Sequence, residues 1–246
     1  MRITADFVTS AAGASGFPGD HRAEIALVGR SNVGKSTLIN ALVRQRIART
    51  SARPGKTRLA NIYRIARGNA EPLYLVDLPG YGYARGGQES AREFEELTRA
   101  YFEGARGDAG GDGAPSQHEQ SWPPSENDKS LSALLLVDAR HPGLESDLRA
   151  WKWLEHTVAG VAIVATKIDK LARGQRIRAM RELESAFEHS VLPCSAVTGE
   201  GLDDLWNLIE RLANSRNPQP RRSRNNSSRP LPRKPPRATA LRHPKK

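Results

Sequence analysis

One eight-residue stretch, 29–36, constrains the fold of this chain more than any other part of it. It follows an apolar run at 24–28 and opens onto a helical pattern from residue 37, so the predicted order is strand, loop and helix. The residues of the loop are Gly29, Arg30, Ser31, Asn32, Val33, Gly34, Lys35 and Ser36. Its two glycines allow turns that a Cβ would obstruct. This pattern between a strand and a helix is the context of a phosphate-binding P-loop.

A loop of this kind predicts a polyphosphate site and assigns roles to two side chains. The N–H groups of the loop and the positive end of the following helix would face a single point. We expect Lys35 to reach the β- and γ-phosphates as a catalytic residue, and the Ser36 hydroxyl to hold Mg²⁺. The alternative is a glycine-rich turn with a surface lysine, which has no ligand to hold.

The segment 77–80 is predicted to complete the phosphate side of the site. It consists of Asp77, Leu78, Pro79 and Gly80, at the end of a predicted strand. We expect Asp77 to hold Mg²⁺ through a water molecule, and the Gly80 N–H to approach the γ-phosphate during catalysis. Asp-x-x-Gly is a weak signal by itself because aspartates often end strands. It gains weight here from the P-loop that precedes it.

The loop between the predicted helix 35–44 and the predicted strand 60–66 supplies a candidate switch. It contains Gly55, Lys56, Thr57, Arg58 and Leu59. A threonine here can ligate Mg²⁺ only when a γ-phosphate is present, which would order the loop. We therefore assign Thr57 to both the metal site and catalysis, with an ordinary polar loop residue as the alternative.

Two later segments indicate which nucleotide binds. They consist of Thr166, Lys167, Ile168 and Asp169, and of Cys194, Ser195 and Ala196. We expect Asp169 to accept hydrogen bonds from N1–H and the N2 amino group of guanine, a donor pair that adenine lacks. The Lys167 side chain would lie along the base, and a main-chain N–H of the second segment would contact guanine O6. Many GTPases have asparagine where this chain has Thr166, so one bond to the base or to the P-loop is expected to be lost or replaced.

Alternation of strand and helix patterns predicts the architecture. We predict strands over 24–29, 60–66, 72–77, 131–138, 161–166 and 191–194, and helices over 35–44, about 88–103, 145–157, 174–188 and 202–213. These elements favour an α/β, three-layer P-loop NTPase domain with a mostly parallel, doubly wound sheet and helices on both faces. The nearly continuous apolar run at 131–138 is typical of a strand covered on both faces.

Composition divides the chain into three regions. Residues 1–22 are predicted to form a loosely structured N-terminal arm, and 23–213 the nucleotide-binding domain, with a disordered insertion at about 104–130. The region 214–246 holds 11 Lys and Arg and no acidic residue, whereas the other 213 residues carry 27 of each sign. This tail, which we expect to be disordered, therefore accounts for the net charge of +11. It predicts an RNA-binding appendage, with a solubilising tail as the alternative.

The sequence favours a soluble, cytoplasmic protein that does not contact a membrane, and we expect a monomer. Its first 20 residues lack the apolar core of a signal peptide, and no run reaches the roughly 18 apolar residues of a membrane helix. Cys194 is the only cysteine, which excludes an internal disulfide framework and fits a reducing compartment.

With these motifs in order, the chain resembles the EngB family of bacterial GTP-binding proteins, within the TRAFAC class of P-loop GTPases. The resemblance covers about 5–212 and rests on 29–40, 54–58, 77–84 and 166–170, while the insertion and the long tail depart from the shorter family pattern. Threonine is the usual first residue of the guanine motif in that family, which agrees with Thr166. The resemblance implies a Mg²⁺-dependent GTPase that binds GTP and GDP and acts in assembly of the large ribosomal subunit. It also implies a need for the protein in normal cell division and septation, and contacts of the domain and tail with the subunit precursor or its rRNA.

Hydrolysis is expected to be slow without a partner. Ras-like GTPases place a glutamine directly after Asp-x-x-Gly to orient water, and here that residue is Tyr81. Asn32 resembles the P-loop asparagine that helps to hold K⁺ in related GTPases, so K⁺ is a candidate cofactor. Three other interpretations stay open: an RNA-binding or scaffold protein that holds GTP without meaningful turnover, a P-loop GTPase with another client, and an ATPase.

Overall fold

The computed structural model describes residues 2–13, 16–18, 20, 22–49, 59–81, 98, 101–102 and 131–214. The strands within them are β1 (Ile3–Ala11), β2 (Glu24–Gly29), β3 (Ala60–Arg67), β4 (Leu73–Asp77), β5 (Leu131–Asp138), β6 (Gly160–Thr166) and β7 (Val191–Pro193). The helices are α1 (Lys35–Val43), α2 (Glu145–Thr157), α3 (Arg173–Phe187) and α4 (Leu202–Asn214), with a 3-10 turn at Ile168–Lys170.

The strands of the described part form one sheet in the order β1-β3-β4-β2-β5-β6-β7. The pairs from β4 through β2, β5 and β6 to β7 are parallel, whereas β1 and β4 both run antiparallel to β3. All eight residues of β5 are buried, as the apolar run predicted for a strand covered on both faces. Because the parallel strands share a direction, their carboxyl ends lie along one edge of the sheet.

Different helices cover the two faces of the sheet. On one face α1 and α4 pack through apolar side chains that include Leu42 and Trp206. On the other face α2 and α3 pack through side chains that include Leu154 and Leu183. The predicted three-layer, doubly wound α/β architecture is therefore confirmed.

The N-terminal region differs from the prediction of a loosely structured arm. Its residues 3–11 form the edge strand β1, which pairs with β3 along its length apart from a register shift between Phe7 and Thr9. Phe7 remains half exposed and meets the ring of Tyr63 edge to face at 5.8 Å. Main-chain hydrogen bonds to an open sheet edge hold this strand, and its largely exposed side chains leave little apolar signal in the sequence.

Several predicted segments lie wholly or mainly outside the described residues. Of the predicted helix at about 88–103, only Thr98, Tyr101 and Phe102 are described, and these three are helical and buried. The insertion and the tail beyond 214 are not described, and Asn214, predicted as the first tail residue, is the last residue of α4. Among the helices that are described, none is long and apolar enough to cross a membrane.

The end of α4 packs against the starts of two central strands. The Ser132 hydroxyl lies 3.4 Å from the Leu212 carbonyl oxygen, and a Cβ on Gly160 would meet the Leu212 side chain at 3.0 Å. Ser132 and Gly160 lie at the amino ends of β5 and β6. The last turn of α4 therefore lies at the sheet edge opposite the carboxyl ends of the parallel strands.

We expect Trp206→Ala to destabilise the fold strongly, because this side chain joins α4 to α1. Trp206 is buried, its Nε1–H donates to the Leu42 carbonyl at 3.2 Å, and the Arg67 guanidinium lies 5.5 Å from its ring centroid. The expected loss in the free energy of unfolding is about 3–5 kcal/mol, measured by urea denaturation. The control Trp153→Ala removes a side chain that is 41% exposed and meets the Phe102 ring edge to face, and it should cost clearly less, about 1–2 kcal/mol. Equal losses would contradict this assignment.

Candidate active site

The loop 29–36 joins β2 to α1 in a conformation that needs its glycines. A Cβ on Gly29 would lie 2.7 Å from the Leu136 carbonyl oxygen and 2.9 Å from the Val33 side chain. Gly34, at the start of α1, has a φ of 114°, which L side chains rarely adopt. The first turn of α1 therefore opens at the carboxyl edge of the sheet, where its unpaired N–H groups favour an anion.

Lys35 lies across this loop rather than in solvent. Its Nζ donates to the carbonyl oxygens of Gly29 and Arg30 at 3.0 and 3.3 Å, and the side chain is 7% exposed. Burial lowers the pKa of this ammonium, and the charge of Asp77 opposes that shift. An ammonium has three protons. One therefore remains for a ligand held by the loop.

The chemistry of Asp77 and Ser36 fits a magnesium ion. The Ser36 hydroxyl donates to Asp77 Oδ2 at 2.6 Å, while the buried Oδ1 has no hydrogen-bond partner among the described residues. Burial raises the pKa of Asp77, opposed by the charge of Lys35 and the hydrogen bond from Ser36. Mg²⁺ prefers oxygen ligands of this kind and usually keeps several waters. The structure thus brings Ser36 and Asp77 together and leaves Asp77 Oδ1 available to accept a hydrogen bond from a metal-bound water.

Gly80, which is predicted to approach the γ-phosphate, is packed against the loop 29–36. A Cβ at this position would lie 2.5 Å from the Ser31 nitrogen. The Ser31 hydroxyl donates to the Gly80 carbonyl at 3.0 Å, and the Ser31 N–H donates to the Tyr81 carbonyl at 3.0 Å. Within the described part of the chain, the Gly80 N–H makes no hydrogen bond. It is available to an acceptor at this side of the loop.

The predicted guanine-binding carboxylate is fixed by its neighbours. Ser195 donates its hydroxyl proton to Asp169 Oδ1 at 2.7 Å and accepts the N–H groups of Val197 and Thr198 at 3.2 and 3.1 Å. Burial opposes ionisation of Asp169, but hydrogen bonds from Ser195 and Lys170 outweigh it and keep the pKa of Asp169 below its ordinary value. The segments 166–169 and 194–196 are therefore adjacent, and the carboxylate is charged at neutral pH.

Thr166 replaces the bond that an asparagine would make to the P-loop. Its hydroxyl lies 2.8 Å from the Val33 carbonyl oxygen and 3.1 Å from that of Val137. The next residue, Lys167, donates from Nζ to the Asn32 carbonyl at 2.5 Å and to Asp138 Oδ2 at 2.9 Å. The guanine side of the site is thus tied directly to the phosphate-binding loop.

Asp138 is a positioning residue that the sequence motifs do not reveal. It ends β5, and besides Lys167 it holds the Arg140 guanidinium through bonds of 2.9 and 2.7 Å. Burial of the carboxyl raises its pKa, but the hydrogen bonds from Arg140 and Lys167 dominate and hold that pKa well below its usual range. The signal in the sequence is a single acidic residue at the end of an eight-residue buried strand.

The structure leaves part of the predicted site untested. Thr57 and its neighbours Gly55, Lys56 and Arg58 lie outside the described residues, and Leu59 is exposed just before β3. Cys194 is buried at the end of β7, and burial together with the charge of Glu200 raises the pKa of its thiol to about 11. Cys194 is therefore suited to packing rather than to acting as a nucleophile.

Comparison with known proteins agrees with this geometry. Residues 24–109 match the family model described as "50S ribosome-binding GTPase". The probable GTP-binding protein EngB of Chlorobaculum tepidum is 40% identical over 210 residues, which is 84% of this chain and 96% of that protein. The EngB protein of Geobacillus kaustophilus is 35% identical over 82% of this chain and 93% of its own length.

Solved structures share the fold. A probable GTP-binding protein EngB aligns with a TM-score of 0.54 and 22% identity over 78% of this chain and 99% of its own. Era, in a complex with MgGDPNP and nucleotides 1506–1542 of 16S ribosomal RNA, aligns with a TM-score of 0.59 and 22% identity over 77% of this chain and 56% of its own. At these identities the likeness supports the P-loop GTPase fold alone.

We expect Thr166→Val to weaken guanine nucleotide binding by about tenfold, because it leaves the Val33 carbonyl without this donor and loosens the P-loop. The affinity is measured by titration with a fluorescent GDP analogue. Thr166→Ser keeps the hydroxyl and should stay within about twofold of the wild type. Equal affinities for the valine variant and the wild type would contradict the proposed coupling.

Proposed function

Because the chain belongs to the EngB family of GTP-binding proteins, we propose that it is a slow GTPase that acts as a switch in assembly of the large ribosomal subunit. The observation that carries the proposal is that the guanine-side residues and the phosphate-side residues bond to the main chain of the same loop. The family description "50S ribosome-binding GTPase" supports the choice of client. A cytoplasmic, monomeric protein needed for normal cell division and septation is part of the same proposal.

Hydrolysis would proceed by in-line attack of water on the γ-phosphate. Lys35 would neutralise charge on the phosphates, and the N–H groups of the loop and of Gly80 would stabilise the charge that develops on the transferred group. Ser36, with Thr57 and Asp77, would hold Mg²⁺, which supplies positive charge next to the phosphate oxygens when it is bound. Asp169 would select guanine, which argues against the ATPase interpretation.

Slow turnover is proposed from the position of Tyr81. Its hydroxyl donates to Asp147 Oδ1 at 2.8 Å, on helix α2, so the ring is directed to the protein interior. The residue that follows Asp-x-x-Gly therefore does not offer a side chain to orient water. A second source of transition-state stabilisation, such as a cation or a ribosomal particle, would raise the rate.

We propose K⁺ as that cation, held in part by Asn32. The side chain of Asn32 is exposed on the loop while its carbonyl oxygen is bonded to Lys167. We expect GTP turnover to be faster in KCl than in NaCl at equal ionic strength, and expect Asn32→Ala to remove the difference. Binding of GDP with aluminium fluoride in the two salts gives a readout independent of turnover. If the wild type shows equal turnover rates, and equal affinities for GDP with aluminium fluoride, in the two salts, the role of K⁺ is contradicted.

The proposed contact with rRNA uses the domain as well as the tail. On α3, the side chains of Arg173, Arg178 and Arg181 are exposed and form no ion pair with other described residues. The N–H donors of a guanidinium group match the geometry of phosphate oxygens. Because these three groups have no acidic partner among the described residues, RNA phosphates would not have to displace one. The 11 basic residues of the tail add a second cationic segment.

The test of the proposed function is co-sedimentation of the full chain with purified precursors of the large subunit. Binding should be stronger with a non-hydrolysable GTP analogue than with GDP, and small subunits serve as the control particle. The same particles should accelerate multiple-turnover phosphate release. If particle binding is the same with GDP and with the GTP analogue, and no GTP is hydrolysed, a scaffold that uses GTP as a structural ligand is favoured instead.

We expect removal of the tail after Asn214 to weaken binding to rRNA and to flatten its salt dependence. The slope of log affinity against log salt should fall by about 0.7 for each phosphate on a single strand that the tail neutralises in the full chain. A full-length variant with all 11 tail Lys and Arg changed to Gln separates charge from length. Unchanged affinity and slope in both variants would mean that the tail has no role in RNA binding.

A further inference from the structure

Tyr81 is anchored at both its main chain and its side chain. Its carbonyl accepts the Ser31 N–H at 3.0 Å, and it forms a parallel bridge with Arg30 of the P-loop. Its hydroxyl donates to Asp147 Oδ1 at 2.8 Å. Asp147 lies in the first turn of α2 and is 1% exposed. One residue therefore connects the phosphate-binding loop to a helix on a face of the sheet.

The residue before this anchor, Gly80, is the one predicted to approach the γ-phosphate. Gly80 is confined against Ser31, since a Cβ would overlap the Ser31 main chain at 2.5–2.6 Å. Its carbonyl is held by the Ser31 hydroxyl, and its N–H is unbonded within the described residues. The peptide bond between Gly80 and Tyr81 contains this held carbonyl, so a shift of Tyr81 would displace the carbonyl and, through the Gly80 Cα, the N–H.

The electrostatic setting keeps the Tyr81 hydroxyl as the donor and Asp147 as the acceptor of this bond. Burial raises the pKa of Asp147, while the Tyr81 hydroxyl and the charge of Arg30 oppose that shift. Burial and the neighbouring Asp147 also raise the pKa of Tyr81, so its hydroxyl stays protonated and remains a donor. Arg30 Nε is itself buried without a hydrogen-bond partner in the described part of the chain. The positive charge of Arg30 opposes the rise in the pKa of both Asp147 and Tyr81.

We propose that Asp147 is a positioning residue for GTP hydrolysis, which holds the Tyr81 hydroxyl so that the Gly80 N–H stays in place for the γ-phosphate. The inference rests on the proposed hydrolysis. It gives Tyr81 a role in the site, although its side chain does not orient water. It also places part of the catalytic geometry on α2, far from the P-loop in sequence.

The test compares Asp147→Ala, Tyr81→Phe and the double variant with the wild type in the full chain, with GTP and Mg²⁺. Each single variant should lower kcat by roughly ten- to a hundredfold, the range for a small misplacement of a catalytic group. KM for GTP and the affinity for GDP should change by no more than about twofold, since the guanine contacts are untouched. The double variant should be no slower than either single variant, because both remove one interaction.

Two further variants distinguish positioning from stability. Asp147→Asn keeps an acceptor for the Tyr81 hydroxyl and should recover most of kcat. Tyr74→Phe removes a matching tyrosine–aspartate bond, from Tyr74 to Asp20 at 2.8 Å near the start of β4, and should leave kcat unchanged. Urea denaturation of every variant identifies those that lose kcat by unfolding.

Each outcome decides the matter. Values of kcat within about twofold of the wild type for Asp147→Ala and Tyr81→Phe would overturn the positioning role and leave the proposed GTPase intact. Additive losses in the double variant, or an equal loss in Tyr74→Phe, would overturn it as well. A wild type that shows no turnover, with or without ribosomal particles, would overturn both the positioning role and the proposed hydrolysis.

Discussion

The main chain of the P-loop is the constraint on which the rest of the site depends. Its carbonyl oxygens accept hydrogen bonds from Lys35, Thr166 and Lys167, and the Ser31 N–H donates to the segment that follows Asp77. Buried main-chain groups must find partners, and leaving one unpaired costs about 1–3 kcal/mol. Side chains from distant parts of the sequence supply these partners. The main chain of the loop thus holds the other motifs next to one another.

The two sides of the site differ in how completely their bonds are satisfied. On the guanine side, Asp169 and Lys167 already have protein partners that fix their orientation. On the phosphate side, Asp77 Oδ1, the Gly80 N–H and one proton of Lys35 have no partner among the described residues. This difference fits the proposed nucleotide switch. In that proposal, base recognition would contribute with GDP and with GTP, while the phosphate side would respond to the γ-phosphate.

The sequence predicts the fold class and most of the site because the motif residues come at the ends of parallel strands, where spacing alone brings them together. It misses β1 because edge pairing through the main chain needs few apolar side chains. It also misses Asp138 and Asp147, since their partners are contacts across the fold: Tyr81 and Asp147 are separated by 66 positions. Thr166 is an intermediate case. The sequence shows threonine where many GTPases have asparagine, but it does not show that the hydroxyl bonds the Val33 carbonyl.

The most direct test is a crystal structure of the full chain with Mg²⁺ and a non-hydrolysable GTP analogue. The account predicts that the bonds from Thr166 to Val33 and from Lys167 to Asn32 persist unchanged. It also predicts that the oxygen of the Ser36 hydroxyl ligates the metal, while its proton is still donated to Asp77. A structure in which the metal binds away from Ser36 and Asp77, or in which the guanine-side bonds to the loop are broken, would contradict these predictions.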